Sequence, residues 1–368
     1  MRLRGRWSRL VLPAALVVAV VVAVAVVVVR SSISGSTAAR VPPGTSMAAT
    51  FLSSYVTADG RVIRHDQGGD IVSEGEAYAM VLAEVADRPT VVRTVWQWTQ
   101  RHLQRPDGLL SFHASSSGQV LDKQSAADAD TLAAYALLRY RGSDAKHLHL
   151  DGERIAAAIL ANETVTQNGV SVLVAGPWAM SPPQTVDPSY LMPPVFRALS
   201  TMTGDARWRK LADDSLHLLA GLTSNGQRLP SDWAHFGSGT LTMSPAPSGG
   251  GSASYGEDAA RTAVWLAYDC STSGHSLAAA WWPLLRRHPD ALSLSPQGQV
   301  IDGTSVPLSL VASAAAAHAA ADPSTSSLFA RATAAARSAP TYYGTAWAAF
   351  GQALDAGTWR IDACTGGT

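Results

Sequence analysis

The stretch Ser125-Ala126-Ala127-Asp128-Ala129-Asp130-Thr131-Leu132-Ala133-Ala134-Tyr135-Ala136-Leu137-Leu138-Arg139-Tyr140-Arg141-Gly142 shows the theme on which the whole chain is built. It has an acid-bearing start, an apolar run at helical spacing, and a glycine break. Alanine loses no side-chain entropy in a helix, so its abundance favours one here. Working outward, the same periodicity predicts twelve helices, beginning near Ser46, Glu74, Pro89, Ala126, Asp151, Pro188, Asp205, Glu257, Ser276, Val306, Ser324 and Tyr342. Strand signals are weak, the best being Gly169 to Ala175. Twelve helices without a parallel-sheet pattern point to one large all-α domain. Pairs of antiparallel helices can close into a double ring, an (α/α)6 barrel. Shorter bundles and a helical solenoid are the alternatives, and the lack of a fixed period counts against a solenoid.

The 368 residues carry 28 basic and 28 acidic side chains, a formal net charge of zero. A nucleic-acid-binding protein would show a basic excess or stripe, so none is expected as a partner. The N-terminus is unlike the rest. Arg2, Arg4, Arg6 and Arg9 precede an unbroken apolar run from Val11 to Val29, closed by Arg30. As a helix that run would span about 28 Å, one bilayer core. It reads as an uncleaved signal anchor with its basic end in the cytoplasm; a cleaved signal peptide is the alternative. Both place the body of the protein outside the cytoplasm. The expected organisation is a basic stub and transmembrane anchor over 1–30, a linker over 31–45 and a catalytic domain over 46–368. In an oxidising compartment Cys270 and Cys364 could pair; they could equally be two buried thiols.

Four polar clusters stand at or near helix starts: Ser73-Glu74-Gly75-Glu76, Asp128-Ala129-Asp130, Asp187-Pro188-Ser189-Tyr190 and Tyr255-Gly256-Glu257-Asp258. They open the second, fourth, sixth and eighth helices, and Tyr342-Tyr343 opens the twelfth. If every second helix is an inner one, one rim of the barrel collects these acids and aromatics, as a substrate cleft requires. Acids also cap helices, and each cluster alone has that simpler explanation. Ser73 and Glu76 read as a capping box, which leaves Glu74 free, with Gly75 clearing space beside it. Glu74 can protonate a leaving group if burial and a neighbouring carboxylate, Asp128, outweigh the helix dipole. Asp258 and Arg261 share a helix face, and Arg261 would keep Asp258 ionised, as a general base needs. An ordinary surface ion pair is the plain alternative. Asp128 and Asp130 could form a metal-binding DxD of a sugar transferase, aim at sugar hydroxyls, or simply cap. Trp96, Trp98, Phe112, Trp178, Tyr190 and Trp233 are candidates to stack on sugars, though most are expected in the core. The ten histidines show no metal-ligand spacing, and no metal or cofactor is expected.

Laid out in this way, the chain resembles glycoside hydrolase family 8, the cellulase D type endoglucanase family, over about residues 51–359. Members include endo-β-1,4-glucanases, xylanases, lichenases and chitosanases. Val72 to Met80 looks like the family's EGxxYxM stretch, which implies Glu74 as general acid. Ser125 to Asp130 looks like its A-[ST]-D-[AG]-D signature, implying that Asp128 holds the sugar beside the scissile bond. Asp187 to Tyr190 resembles the PSY segment, whose tyrosine positions the catalytic water. Tyr255 to Arg261 resembles YxxDAxR, implying Asp258 as base with Arg261 beside it, and Pro230 to Trp233 is similar to the PDW stretch. Departures are Ala127 in place of Ser or Thr, Ala133 in place of Ile or Met, and Phe112 where many members carry tryptophan.

The resemblance implies an (α/α)6 barrel and an inverting, endo-acting hydrolase of a β-1,4-linked polysaccharide. Glu74 and Asp258 would be catalytic, and Asp128, Tyr190 and Arg261 would bind substrate. The membrane anchor suggests processing of a self-made exopolysaccharide. The expected partners are the polysaccharide and the membrane, with the protein a monomer. A non-catalytic polysaccharide-binding protein, or a hydrolase of chitosan or xylan, is the alternative.

Overall fold

A computed structural model describes residues 44–247 and 251–361. All of these lie in the compact unit Pro42–Thr368. The predicted membrane span and linker lie outside the described residues, among which no helix is long and apolar enough to cross a membrane. Cys270 is disulfide-bonded, and Cys364 lies outside the described residues.

Twelve α-helices organise the described residues: α1 Ser46–Tyr55, α2 Ser73–Val85, α3 Pro89–His102, α4 Ala127–Arg139, α5 Ala145–Asn162, α6 Pro193–Thr203, α7 Ala206–Leu222, α8 Glu257–Ala267, α9 Thr272–Leu285, α10 Pro307–Ala319, α11 Thr325–Ser338 and α12 Tyr342–Asp355. Each even-numbered helix packs on the next, from α2 through α4, α6, α8 and α10 to α12, and α12 returns to α2. The odd-numbered helices pack outside this closed ring, each against at least one of its sequence neighbours. The result is two concentric rings of six helices.

Composition explains which helices go inside. In α4 every residue from Ala127 to Leu138 is buried, and in α10 every residue from Leu308 to Ala317. A helix that is apolar all round has no face to offer water, and its many alanines let neighbours approach closely. By contrast, α3 buries Val92, Val95, Trp96 and Thr99 on one stripe and turns charged residues outward. Short antiparallel strands decorate the rim. The largest pairing joins Gln184–Val186, Trp233–Gly237 and Thr240–Ser244.

Several predicted helix starts are displaced. Helix α5 begins at Ala145, before the expected Asp151, because its first turn is polar and hides the apolar period. Residues Pro188–Tyr190 form a 3-10 turn, and α6 starts only at Pro193. Helix α9 begins at Thr272 instead of near Ser276, capped by the Ser271 hydroxyl, which accepts from Gly274 N–H at 3.0 Å.

The predicted Ser73–Glu76 capping box is absent. Helix α2 already includes Ser73, so Glu76 stands one position too late to reach back. Its buried carboxylate instead accepts Val62 N–H at 2.9 Å and tethers the preceding loop.

Candidate active site

The N-terminal ends of α2, α4 and α8 and the start of the 3-10 turn before α6 meet at one side chain, Arg261. It projects from the second turn of α8 and is buried, with 3% of its surface exposed. Its Nη1 donates to Glu74 Oε2 at 3.2 Å and to Asp128 Oδ2 at 3.0 Å. Its Nη2 donates to Asp258 Oδ1 at 2.9 Å and to Asp187 Oδ2 at 3.2 Å. The guanidinium carbon lies over the Tyr190 ring, 5.5 Å from its centre. A planar, forked cation suits this geometry where a lysine's point charge would not.

One cation cannot neutralise four carboxylates, so protonation must relieve the excess. Burial, followed by the nearby Asp128, pushes the Glu74 carboxyl up to about 7. Burial and Asp258 push Asp187 up as well, and burial pushes Asp128 up against the pull of Arg261. For Arg261 itself burial favours the neutral form, but the surrounding tyrosines and acids outweigh it and hold the charge. The Tyr342 hydroxyl donates to Glu74 Oε1 at 3.3 Å. Gly75 makes room for it: a Cβ there would stand 2.9 Å from the Tyr342 oxygen.

Glu74 and Asp258 sit in the wall of a cleft of about 480 Å³, together with Arg64, Asp232, Tyr342 and Tyr343. The Asp258 side chain is 40% exposed and open to solvent, whereas that of Glu74 is 18% exposed. Their oxygens grip opposite ends of one guanidinium. A smaller cavity, about 300 Å³, lies by Glu84, Arg88 and Arg139, at the C-terminal ends of α2 and α4, and holds none of these residues.

The two acids of Asp128-Ala129-Asp130 part company. Asp128 turns to Arg261, while Asp130 accepts Leu110 N–H at 2.8 Å. Asp130 Oδ2 and Glu163 Oε2 are both buried with no hydrogen-bond partner. Burial raises both carboxyls, Glu163 to about 8. Among the described residues no group of three or more His, Cys, Asp or Glu is placed to hold a metal ion.

Among the candidate aromatics, Trp96 and Trp98 are core residues, whereas Phe112 and Trp178 are among the exposed large apolar side chains. Sequence reasoning gave no role to Asp187 or Asp232. Asp187 Oδ1 accepts from the Ser189 N–H at 2.8 Å and from its hydroxyl at 2.7 Å, and Oδ2 faces Arg261. The Asx turn in Asp-Pro-Ser was a local signal for the first pair of bonds only.

With this constellation in place, the matches to known proteins are specific. The model of glycosyl hydrolases family 8 matches residues 19–359. The chain belongs to family 8. It is 31% identical over 190 residues to an endoglucanase of Cellulomonas uda, covering 50% of this chain and 53% of that protein. It is 30% identical over 205 residues to a probable endoglucanase of Novacetimonas hansenii, covering 54% and 60%. The chain thus spans between half and two thirds of the length of these relatives. The fold is similar to that of a beta-1,3-1,4-glucanase from Paenibacillus sp. X4, with a TM-score of 0.75 at 20% identity over 86% of this chain and 91% of the other.

Proposed function

We propose that this family 8 chain is an inverting, endo-acting glycoside hydrolase that cleaves a β-1,4-linked glucan. The observation that carries the reading is the Arg261 fork. One arm holds a carboxyl that burial keeps protonated to about pH 7, and the other holds a solvent-facing carboxylate.

In this mechanism the Glu74 carboxyl gives its proton to the glycosidic oxygen as the bond to the anomeric carbon breaks. Asp258 takes a proton from a water molecule whose oxygen attacks that carbon from the opposite face. The products are a chain end bearing a new hydroxyl and an inverted hemiacetal. Tyr190 and Asp128 orient water and sugar. Arg261, being buried, acts by holding the carboxylates in place rather than by meeting the sugar. The endoglucanase names of the relatives support a glucan substrate.

The N-terminal apolar run supports a single-pass membrane anchor with the hydrolase domain outside the cytoplasm, and such tethering suits trimming of a self-made exopolysaccharide. Reducing-end release from soluble β-glucans, xylan and chitosan tests the activity. Glu74→Gln and Asp258→Asn should each abolish release, and unchanged rates in either would refute the assignment.

A further inference from the structure

Asp232, from the turn before Trp233, is joined to α8 at a distance of 24–27 residues in sequence. A single oxygen, Oδ1, accepts both the Gly256 N–H at 2.9 Å and the Ala259 N–H at 2.8 Å. These amides belong to the residues two before and one after Asp258. They are free donors of a helix start, where no residue of the helix's own chain segment supplies a side-chain cap. The contact is close: a Cβ on Gly256 would stand 2.6 Å from Asp232 Oδ2. The loop that carries Asp232 is itself pinned, its N–H donating to Ser254 carbonyl at 2.8 Å.

We propose that Asp232 is a positioning residue for the reaction, a clamp supplied from outside the helix that fixes the first turn of α8 and therefore the direction in which Asp258 projects. The proposal rests on Asp258 being the base. Other ways to hold Asp258 are few. Its only side-chain partner among the described residues is Arg261, which three other carboxylates share. That ion pair fixes one oxygen, while Asp232 fixes the backbone on both sides. Burial pushes the Asp232 carboxyl up to about 6, Asp258 pushes the same way, and the two amides and Arg261 pull down. The two hydrogen bonds need only an acceptor oxygen, so the clamp does not depend on the charge.

That independence supplies the test. In Asp232→Asn the amide oxygen can still accept both N–H groups; in Asp232→Ala nothing can. Misplacing a reacting group by an ångström costs about 100-fold. Asp232→Ala is therefore expected to lower kcat on a soluble β-glucan by about 100-fold with KM little changed, and Asp232→Asn to keep kcat within a few-fold of wild type. Gly256→Ala, which displaces the carboxylate without removing it, should lower kcat like Asp232→Ala and covers the case in which that variant folds poorly. Amide hydrogen exchange gives a readout independent of turnover: Gly256 and Ala259 should lose protection in Asp232→Ala and keep it in Asp232→Asn. Wild-type kcat in Asp232→Ala, or an equal fall in Asp232→Asn, overturns the clamp. A wild-type protein inactive on every glycan would instead overturn the hydrolase reading, with the exchange data still deciding on the clamp.

Discussion

Arg261 Nη1 lies 3.2 Å from Glu74 Oε2, joining helices α8 and α2 across 187 positions of sequence. The contact sets the electrostatics of the cleft. A buried cation shared among carboxylates costs little when complete and a great deal when one partner is removed. Arg261→Ala is expected to destabilise the fold by about 3–5 kcal/mol in urea unfolding, and Arg261→Lys to retain much of that stability. Both variants should lose reducing-end activity, because a single ammonium cannot occupy both arms of the fork.

With Glu74 as the proposed general acid, the pH dependence of activity follows from its titration. A general acid must be protonated to act, so kcat/KM should decline as pH rises through about 7, where burial places this carboxyl. The hydrogen bond from Tyr342 favours the charged form of Glu74. Tyr342→Phe removes it, and the alkaline limb of the pH–rate profile is expected to move to higher pH. A limb that stays in place, or moves to lower pH, would detach Tyr342 from the titration.

Gly75 sets two effects against each other. Alanine in a helix interior is ordinarily worth about 1 kcal/mol over glycine. Here the added Cβ would press on the Tyr342 hydroxyl, and that ring is packed against Phe51 and Tyr55. Overpacking of a filled site costs about 1–3 kcal/mol, so the clash wins. Gly75→Ala should lower the melting temperature and reduce activity about tenfold or more, as measured by thermal unfolding and initial rates.

The buried acid Glu163 predicts a stability slope. Its carboxyl titrates near 4.5 ordinarily and near 8 in the fold. A group whose pKa is raised by folding contributes stability that is fully present below the unfolded value and is lost as pH rises through the folded one. Between pH 4.5 and about 8 this group alone should lower unfolding free energy by about 1.4 kcal/mol per pH unit. Glu163→Gln should flatten that part of the slope while still accepting the Ser125 hydroxyl, which lies 2.6 Å from Glu163 Oε1. Parallel slopes in the two proteins, measured by chemical denaturation at successive pH values, would show that Glu163 does not titrate in this range.

Much of this architecture was readable from local patterns. Apolar periodicity located all twelve helices because inner and outer helices alike are bounded by Gly, Pro or polar breaks. It misplaced α5, whose polar first turn Lys146-His147 masks the repeat, α6, which Pro188 imitates, and α9, which starts at Thr272 ahead of the expected Ser276. Glu74, Asp128, Asp258, Arg261 and Tyr190 were legible because each stands at or near a helix start in a short motif, and the other four converge on the guanidinium of Arg261. What stayed hidden depends on contacts that no local pattern records. Asp232 caps a helix 24 residues away, Asp187 meets Arg261 across 74, and Glu76 turns to the Val62 backbone instead of its own helix end.

The central claim is that Glu74 and Asp258 act on opposite faces of one sugar, with a water between the base and the anomeric carbon. Proton NMR of a soluble β-1,4-glucan during the first moments of hydrolysis tests it directly, before the new reducing ends equilibrate. The account predicts that those ends appear first as the α-anomer. Their first appearance as the β-anomer would contradict it.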